Sequence, residues 1–247
     1  MFYPRSLKLA AVSCALMVVS APAVAAPPAP AAPVQLDRAQ VEGLIRAYLL
    51  DHPEIIPEAM QRLEERQRNE AIAGLRDQLE RPFEGAWIGN PDADVVVVEF
   101  FDYACGYCRR MVGDIERLVA EDPKVKVVFR EFPILGSVSV EAARTALQAA
   151  RTGTYAQYHH DVFAAETLTK ATIRSAADKG KVKLPKDVSA LDAELSNNRR
   201  MARQLGINGT PAFIIGGRFA SGAIGYQSLK EQVNAARTAA ADESARK

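Results

Sequence analysis

The sequence has few cysteines, few histidines and almost no net charge. The small number of cysteines and the balance of charges each exclude a class of protein. Three cysteines in 247 residues are too few for a scaffold held together by several disulfides. A formal net charge of +1 provides no strong attraction to nucleic acid or to anionic lipid. Hydrophobic residues make up 48% and charged residues 25%, which is typical of globular proteins. Composition therefore excludes a disordered, collagen-like or multi-span membrane chain and leaves one or two globular domains.

The first 25 residues have the pattern of a cleavable export signal. Arg5 and Lys8 form a short basic region, the stretch 9–20 is apolar, and Ala23-Val24-Ala25 supplies an A-x-A cleavage site. The alternative is an uncleaved anchor, but the apolar stretch is short for a stable membrane-spanning helix. The sequence therefore predicts an exported protein from which residues 1–25 are removed.

Cleavage would leave Cys105 and Cys108, spaced C-x-x-C, as the two cysteines of the mature chain. A zinc site needs about four ligands, and the three histidines show no metal-ligand spacing with this pair. His159 and His160 are interpreted as packing or surface residues. A structural disulfide gains little entropy from so small a loop, so in an oxidising compartment the pair is most simply a redox-active dithiol. The alternative is two buried, inert cysteines.

The segment 37–82 is predicted to be helical and to lie outside the main domain. Asp37 is placed to cap a first helix that Pro53 ends, and a second helix follows from about Pro57 to Leu79. The stretch from Leu63 to Ala71 is polar on all sides and cannot pack deeply against its own domain. A solvated helical arm is one interpretation. We favour an oligomerisation segment whose apolar ends contact further copies of the chain.

The rest of the chain has the pattern of one α/β domain. The first part is predicted to contain a loop over 82–94 with Trp87, a buried central strand over Val95–Phe101, a helix over Arg109–Ala120 and a strand over 124–132. Four helical segments follow between 139 and 205, and then strands over Ala212–Ile215 and near Phe219. The last helix is predicted to open with a capping box of Ser228 and Glu231 and to end near Ala240. Two strand blocks separated by a long helical stretch predict a sheet domain over 83–241, with a helical insertion at about 138–206. A linker over 26–36 and a tail over 242–247 complete the chain.

The C-x-x-C pair lies where the central strand turns into a helix. The first N–H groups of a helix are unsatisfied and its dipole places partial positive charge there, which favours the thiolate form of Cys105. Cys105 is therefore the expected nucleophile, and Cys108, one turn later, is placed to resolve the mixed disulfide. Gly106 and Tyr107, between the two cysteines, are expected to tune the redox potential.

Glu99 is an acidic residue in a strand made otherwise of valine and phenylalanine. A carboxylate buried there is costly unless it is protonated, hydrated or paired. Strand alternation puts Val97, Glu99 and Phe101 on one face. With that face beneath the helix of the dithiol, Glu99 could transfer protons to and from Cys108. A solvent-facing glutamate on an edge strand is the alternative.

Thr210-Pro211 opens the strand after the insertion and is a candidate cis peptide bond. A cis bond would leave the backbone groups of Thr210 free for an incoming peptide, which could bind as an added strand. The dipeptide alone is a weak signal, because most X-Pro bonds are trans.

Together these features resemble the DsbA-like branch of the thioredoxin fold. The resemblance is carried by VVVVEFFDYACGYC over 95–108, by the helical insertion and by GINGTPAF over 206–213, and it extends over about 83–240. It implies a thioredoxin fold with a helical insertion before the cis-proline strand. It also implies that Glu99 is the buried acid of the family and that Pro211 is cis and faces the dithiol.

Within this branch, the N-terminal helical segment is similar to that of the ScsC, or suppressor-of-copper-sensitivity, proteins, where it makes dimers or trimers. The Gly-Tyr dipeptide and Thr210 are similar to the isomerase DsbC, whereas the oxidase DsbA typically has Pro-His and Val at these places. The resemblance implies a periplasmic disulfide isomerase or reductase that is a homo-oligomer through residues 37–80. It further implies misfolded or disulfide-containing periplasmic proteins as substrates, and a membrane thiol reductase of DsbD or ScsB type as partner.

Two other functions stay open on the sequence alone. A DsbA-like oxidase would donate its disulfide and need a quinone-linked reoxidant. A Cu(I)-binding chaperone would use the two thiolates for a soft cation, although no Met or His cluster lies near Cys105 in the sequence. We expect no cofactor besides the disulfide that Cys105 and Cys108 can form, no metal centre and no nucleic-acid partner.

Overall fold

The computed structural model of the protein describes residues 37–246. The predicted signal peptide and linker lie outside the described residues. The chain divides into two units, and the described part of the first is helix α1, Arg38–Asp51. The predicted cap is present: the Asp37 carboxylate accepts from the backbone N–H of Gln40, and the Gln40 side chain accepts from the backbone N–H of Asp37. No residue of α1 is buried.

The second unit, from Pro53 on, is a five-stranded mixed sheet with helices on both faces. Its elements are α2 (Ile55–Glu80), β1 (Trp87–Gly89), β2 (Val95–Phe101), α3 (Gly106–Glu121), β3 (Val125–Glu131), α4 (Ser137–Arg151), α5 (Tyr155–Ala164), α6 (Lys170–Lys179), α7 (Ser189–Gln204), β4 (Ala212–Ile215), β5 (Arg218–Ser221) and α8 (Gly225–Ala245). The strand order is β1-β3-β2-β4-β5, with β2 and β3 parallel and the other pairs antiparallel. The predicted α/β fold with a helical insertion, α4 to α7, is confirmed.

The alternation of the central strand β2 divides the core between the two faces of the sheet. Val97 belongs to the cluster on one face, together with residues of α3, α8 and the insertion and with both cysteines of the dithiol. Val98 belongs to the cluster on the other face, where Ile72 and Leu79 of α2 pack beside α7. The helix that carries the dithiol therefore covers one face, and α2 covers part of the opposite face.

Helix α2 changes character along its length. Residues 56–67 are exposed, and in the stretch 63–71 that the sequence predicts to be shallowly packed only Arg68 and Ala71 are half-buried. Ile72 and Leu79 near the end of the helix are buried in the core of the sheet domain. Arg130 of β3 fixes this end, because its buried guanidinium donates to three carbonyl groups there that no helical N–H can reach. The same guanidinium lies 3.0 Å from the Glu194 carboxylate.

The helix of the dithiol begins at Gly106, three residues before the predicted Arg109, and two further predictions are wrong. The segment 82–94, predicted as a loop, contains β1, which pairs antiparallel with β3. Three residues are too few to show the alternation by which a strand is recognised. The last helix begins at Gly225, so Ser228 and Glu231 lie inside it and the predicted capping box does not form. The φ of +76° at Gly225, which glycine adopts easily, lets the chain turn into the helix one turn earlier.

No helix within residues 37–246 is both long enough and apolar enough to cross a membrane.

Candidate active site

The C-x-x-C pair lies at the amino end of α3, directly after the central strand. Cys105 is the N-cap residue, and its backbone N–H donates to the Asp102 carbonyl at 3.0 Å, which closes the turn between β2 and α3. Cys105 is 7% exposed and Cys108, in the first turn of the helix, is 1% exposed. Both side chains are thiols in this structure. Cys105 is therefore the more exposed of the two cysteines, and Cys108 is almost completely buried.

The loop before β4 lies against the dithiol. The Thr210–Pro211 peptide bond is cis, as the resemblance implies, and the Cys105 thiol donates to the Thr210 carbonyl at an Sγ–O distance of 3.3 Å. Thr210 is half-buried and Pro211 is buried. The fold thus brings together two predicted site segments that are 105 residues apart in the chain.

Glu99 is buried on the central strand, between Phe129 of β3 and Phe213 of β4. The alternative of an edge-strand glutamate facing solvent is wrong, because β2 has a hydrogen-bonded neighbour on each side. Burial, and after it the negative charge of Cys105, raises the pKa of Glu99 from 4.5 to about 8. Burial, and after it the charge of Glu99, raises the pKa of Cys108 far above its ordinary value. The carboxyl group and the two sulfurs therefore form one electrostatically linked group.

Asp102 is a site residue that the sequence assigned only to a turn. Its buried carboxylate accepts hydrogen bonds from the backbone N–H groups of Ala104 at 2.8 Å, Ile134 at 2.8 Å and Leu135 at 2.9 Å. These bonds tie the turn before Cys105 to the loop that follows β3. An aspartate after a strand is a local turn signal, so its contacts with a loop 32 residues away could not be predicted.

Exposed apolar side chains lie between the two cysteines and on the loop that Asp102 ties to the turn before Cys105. Tyr107 is 59% exposed and lies beneath the guanidinium of Arg110, 4.2 Å from its ring centre. Ile134 and Leu135, which Asp102 holds in place, are also exposed. At Gly106, no atom beyond the adjoining residues and the backbone of α3 lies within 4 Å of the position that a Cβ would occupy. This arrangement suits contact with an unfolded polypeptide, whose apolar side chains are accessible.

The two adjacent histidines lie in packing and surface positions, as the sequence predicts. His159 is buried, its Nδ1 is 3.2 Å from the Tyr103 hydroxyl, and burial lowers its pKa to about 3. His160 is exposed and contacts the Glu116 carboxylate at 2.8 Å. Within residues 37–246, no three side chains of the metal-binding types His, Cys, Asp and Glu come together in a possible metal site.

A dithiol at the amino end of the helix after the central strand, facing a cis-proline loop, defines the class of thioredoxin-fold thiol–disulfide oxidoreductases. Residues 83–235 match the Thioredoxin family, and residues 37–78 match the N-terminal domain of the copper resistance protein ScsC. The chain belongs to the thioredoxin family, in its ScsC-type, DsbA-like branch.

Solved structures agree with this assignment. A linker-deletion mutant of Proteus mirabilis ScsC is 30% identical, with a TM-score of 0.70, and the alignment covers 84% of this chain and 99% of that one. A thioredoxin-like oxidoreductase from Silicibacter pomeroyi is 36% identical, with a TM-score of 0.62, over 66% of this chain and 98% of that one. The thiol-disulfide exchange protein alpha-DsbA2 from Wolbachia pipientis is 27% identical, with a TM-score of 0.61, over 69% and 96%.

A curated relative contains a similar segment within a much longer chain. The Na(+)/H(+) antiporter NhaA 3 of Salinispora tropica is 26% identical over 160 residues. The match covers 60% of this chain and 24% of the antiporter, so the chain spans about a quarter of that protein.

Proposed function

We propose that this chain is a periplasmic protein thiol–disulfide oxidoreductase that acts mainly as an isomerase or reductase of non-native disulfides. The observation that carries this proposal is the Cys105 thiol, the more exposed of the two, which lies 3.3 Å from the Thr210 carbonyl of the cis-proline loop. A further similar structure is a periplasmic thioredoxin-like protein from Salmonella enterica serovar Typhimurium, 27% identical over 66% of this chain and 95% of that one, with a TM-score of 0.62. This neighbour supports the periplasmic location, and the export-signal pattern agrees with it.

The first chemical step is attack of the Cys105 thiolate on one sulfur of a substrate disulfide. A new S–S bond forms between Cys105 and that sulfur, and the second substrate sulfur leaves as a thiolate. The amino end of α3 places unsatisfied N–H groups and the positive end of the helix dipole next to Cys105, its N-cap residue. The exposed apolar side chains around Cys105 hold an unfolded substrate near the dithiol.

The second step decides between isomerisation and reduction. In isomerisation another substrate thiolate attacks the substrate sulfur of the mixed disulfide, a different substrate disulfide forms and Cys105 leaves as thiolate without net oxidation. In reduction the Cys108 thiol gives its proton to Glu99 and attacks the Cys105 sulfur. The Cys105–Cys108 disulfide forms, the substrate sulfur leaves as a thiolate, and the new disulfide holds the two-electron oxidation.

Continued isomerisation requires Cys105 to be returned to the thiol form whenever it becomes oxidised. We propose a membrane thiol reductase of DsbD or ScsB type as the electron source, as the family resemblance implies. We also propose that residues 37–80 make a homo-oligomer, which presents several dithiols to one misfolded substrate. The match of residues 37–78 to the ScsC N-terminal domain supports this assembly.

The two cysteine variants test the proposal on a peptide that contains one disulfide. Cys105→Ser should form no mixed disulfide and show no exchange, because the accessible nucleophile is lost. Cys108→Ser should accumulate a mixed disulfide through Cys105, visible on a non-reducing gel and by mass spectrometry, because the resolving thiol is lost. Substantial exchange by Cys105→Ser would overturn the proposal. Stoichiometric Cu(I) uptake by the wild type without any exchange would favour the copper-binding alternative.

A further inference from the structure

A groove leads from the cis-proline loop to helix α2, outside the dithiol itself. A cavity of about 500 Å³ is lined by the loop 206–212, by Phe219, Ser221 and Gly222 beside it, and by Arg68 of α2. A second cavity of about 360 Å³ shares Arg68 and part of the loop and continues along α2. Thr210 lines the first cavity and its carbonyl accepts from the Cys105 thiol, so this end of the groove lies one residue from the reactive sulfur.

Arg68 is the residue that brings α2 into this groove. In the stretch 56–70 it is the one half-buried residue, and the others are exposed. Its guanidinium lies over the Phe219 ring, 4.3 Å from the ring centre, and its Nε donates to the Leu205 carbonyl at 3.1 Å. These two contacts hold a planar cation at a fixed place in the wall of the groove.

The charge of Arg68 has no carboxylate partner within residues 37–246. Its hydrogen bond to Leu205 uses Nε, so the Nη donors of the fork remain available for a ligand. The lining of the second cavity contains one further cation, Arg203 of α7, and one carboxylate, Glu64. The groove therefore presents an excess of positive charge on a surface next to the dithiol, and a fixed guanidinium binds carboxylates in a preferred two-bond geometry.

We propose that Arg68 is a specificity-determining residue that favours substrate polypeptides with an acidic side chain a few residues from the reacting cysteine. The proposal rests on the proposed thiol–disulfide exchange, since the substrate segment enters the groove while its cysteine is bonded to Cys105. The helix that the sequence indicated as an arm or an oligomerisation segment thus also forms part of the substrate site.

The test uses the full mature chain and short fluorescent peptides with one cysteine in disulfide linkage to a neutral thiol. The peptides carry Asp, Asn or Lys two to four residues from the cysteine, on one side and then on the other. The wild type should attack the best-placed Asp peptide about fivefold faster than its Lys counterpart, the effect of one partly exposed ion pair. Arg68→Ala should lose this preference, and Arg68→Glu should reverse it. Arg66→Ala, an exposed arginine of the same helix, is the matched control and should keep it.

Two measurements separate failure of this inference from failure of the proposed function. Exchange with the small neutral disulfide 2,2′-dithiodipyridine reports Cys105 chemistry alone and should be equal in the wild type and all Arg68 variants. If Arg68→Ala does not fold, Arg68→Gln keeps the long stem and a donor for the Leu205 carbonyl while removing the charge. Normal dithiodipyridine exchange with no peptide preference in the wild type, or an unchanged preference in the neutral Arg68 variants, would overturn the inference. Absence of dithiodipyridine exchange would overturn the proposed function.

Discussion

The chemistry that we propose for the site depends on an acid that the fold keeps away from water. Glu99 lies on the central strand beneath the dithiol, where burial raises its pKa to about 8, and Cys108 beside it is held as a thiol. A carboxyl group with this pKa can take a proton from Cys108 and return it near neutral pH. Glu99, the acidic residue of this otherwise apolar strand, is therefore the base that we propose for resolution of the mixed disulfide.

Glu99→Gln should remove a pH dependence of stability. In the wild type the unfolded carboxyl ionises near pH 4.5 and the buried one near pH 8, so the native state binds more protons and stability falls as pH rises through this window. Each pKa unit corresponds to about 1.4 kcal/mol, so the loss reaches on the order of 4 kcal/mol by pH 8. Glu99→Gln should be more stable than the wild type at pH 8, in urea titrations at several pH values.

The same variant should slow resolution by Cys108, so that the mixed disulfide with a substrate peptide persists longer than in the wild type. Glu70→Gln, an exposed glutamine variant on α2, is the matched control and should change neither property. If the free energy of unfolding of Glu99→Gln falls with rising pH as steeply as that of the wild type, another group is responsible.

Helix α2 makes different contacts along its length. Its exposed half carries Arg68 to the groove, whereas its end is fixed to the sheet by Ile72, Leu79 and the guanidinium of Arg130. The polar stretch at 63–71 correctly predicts the exposed half. Burial of the end depends on a sheet face that a helical pattern alone does not reveal.

Leu79→Ala should destabilise the protein strongly, by about 2 to 5 kcal/mol, because it leaves a cavity in a closed core. Leu63→Ala on the same helix is the matched control, since Leu63 is 40% exposed and its loss should change the free energy of unfolding by less than about 1 kcal/mol. Urea unfolding of the mature chain measures both values. Equal effects would mean that the end of α2 is not packed on the sheet in solution.

Elements with strong local patterns could be predicted, and elements set by distant contacts could not. The run from Val95 to Phe101 and the turn into Cys105 carry their signals within a few residues, and both lie where the sequence indicates. β1 is three residues long and exists because β3 provides a neighbouring strand. The contacts of Asp102 and Arg68 likewise join segments far apart in the chain, so neither leaves a local pattern.

The assembly that we propose for the whole molecule involves the surface of α1. Val41, Leu44, Ile45 and Tyr48 form an apolar stripe at helical spacing, and all four are exposed in the described chain. An exposed apolar stripe on a helix is typical of a protein contact surface. Together with the match to the ScsC N-terminal domain, this stripe supports the proposed homo-oligomer.

Leu44→Glu should dissociate the oligomer, because it places a charge within the apolar contact. Light scattering coupled to size-exclusion chromatography should show monomers, with helix content and dithiodipyridine exchange unchanged. Arg46→Glu, also exposed on α1, is the matched control and should keep the wild-type mass. A wild type that is already monomeric, or a Leu44→Glu variant of unchanged mass, would contradict the proposed role of α1.

Reactivation of scrambled ribonuclease decides between isomerisation and oxidation most directly. Catalytic amounts of the reduced mature protein are added to ribonuclease with non-native disulfides, without added oxidant, and enzyme activity is followed. Recovery of activity, dependent on Cys105, is the expected result, because an accessible thiolate that leaves without net oxidation can shuffle disulfides. No recovery, together with fast oxidation of reduced ribonuclease by the disulfide form of the protein, would place it among the oxidases and contradict the isomerase function.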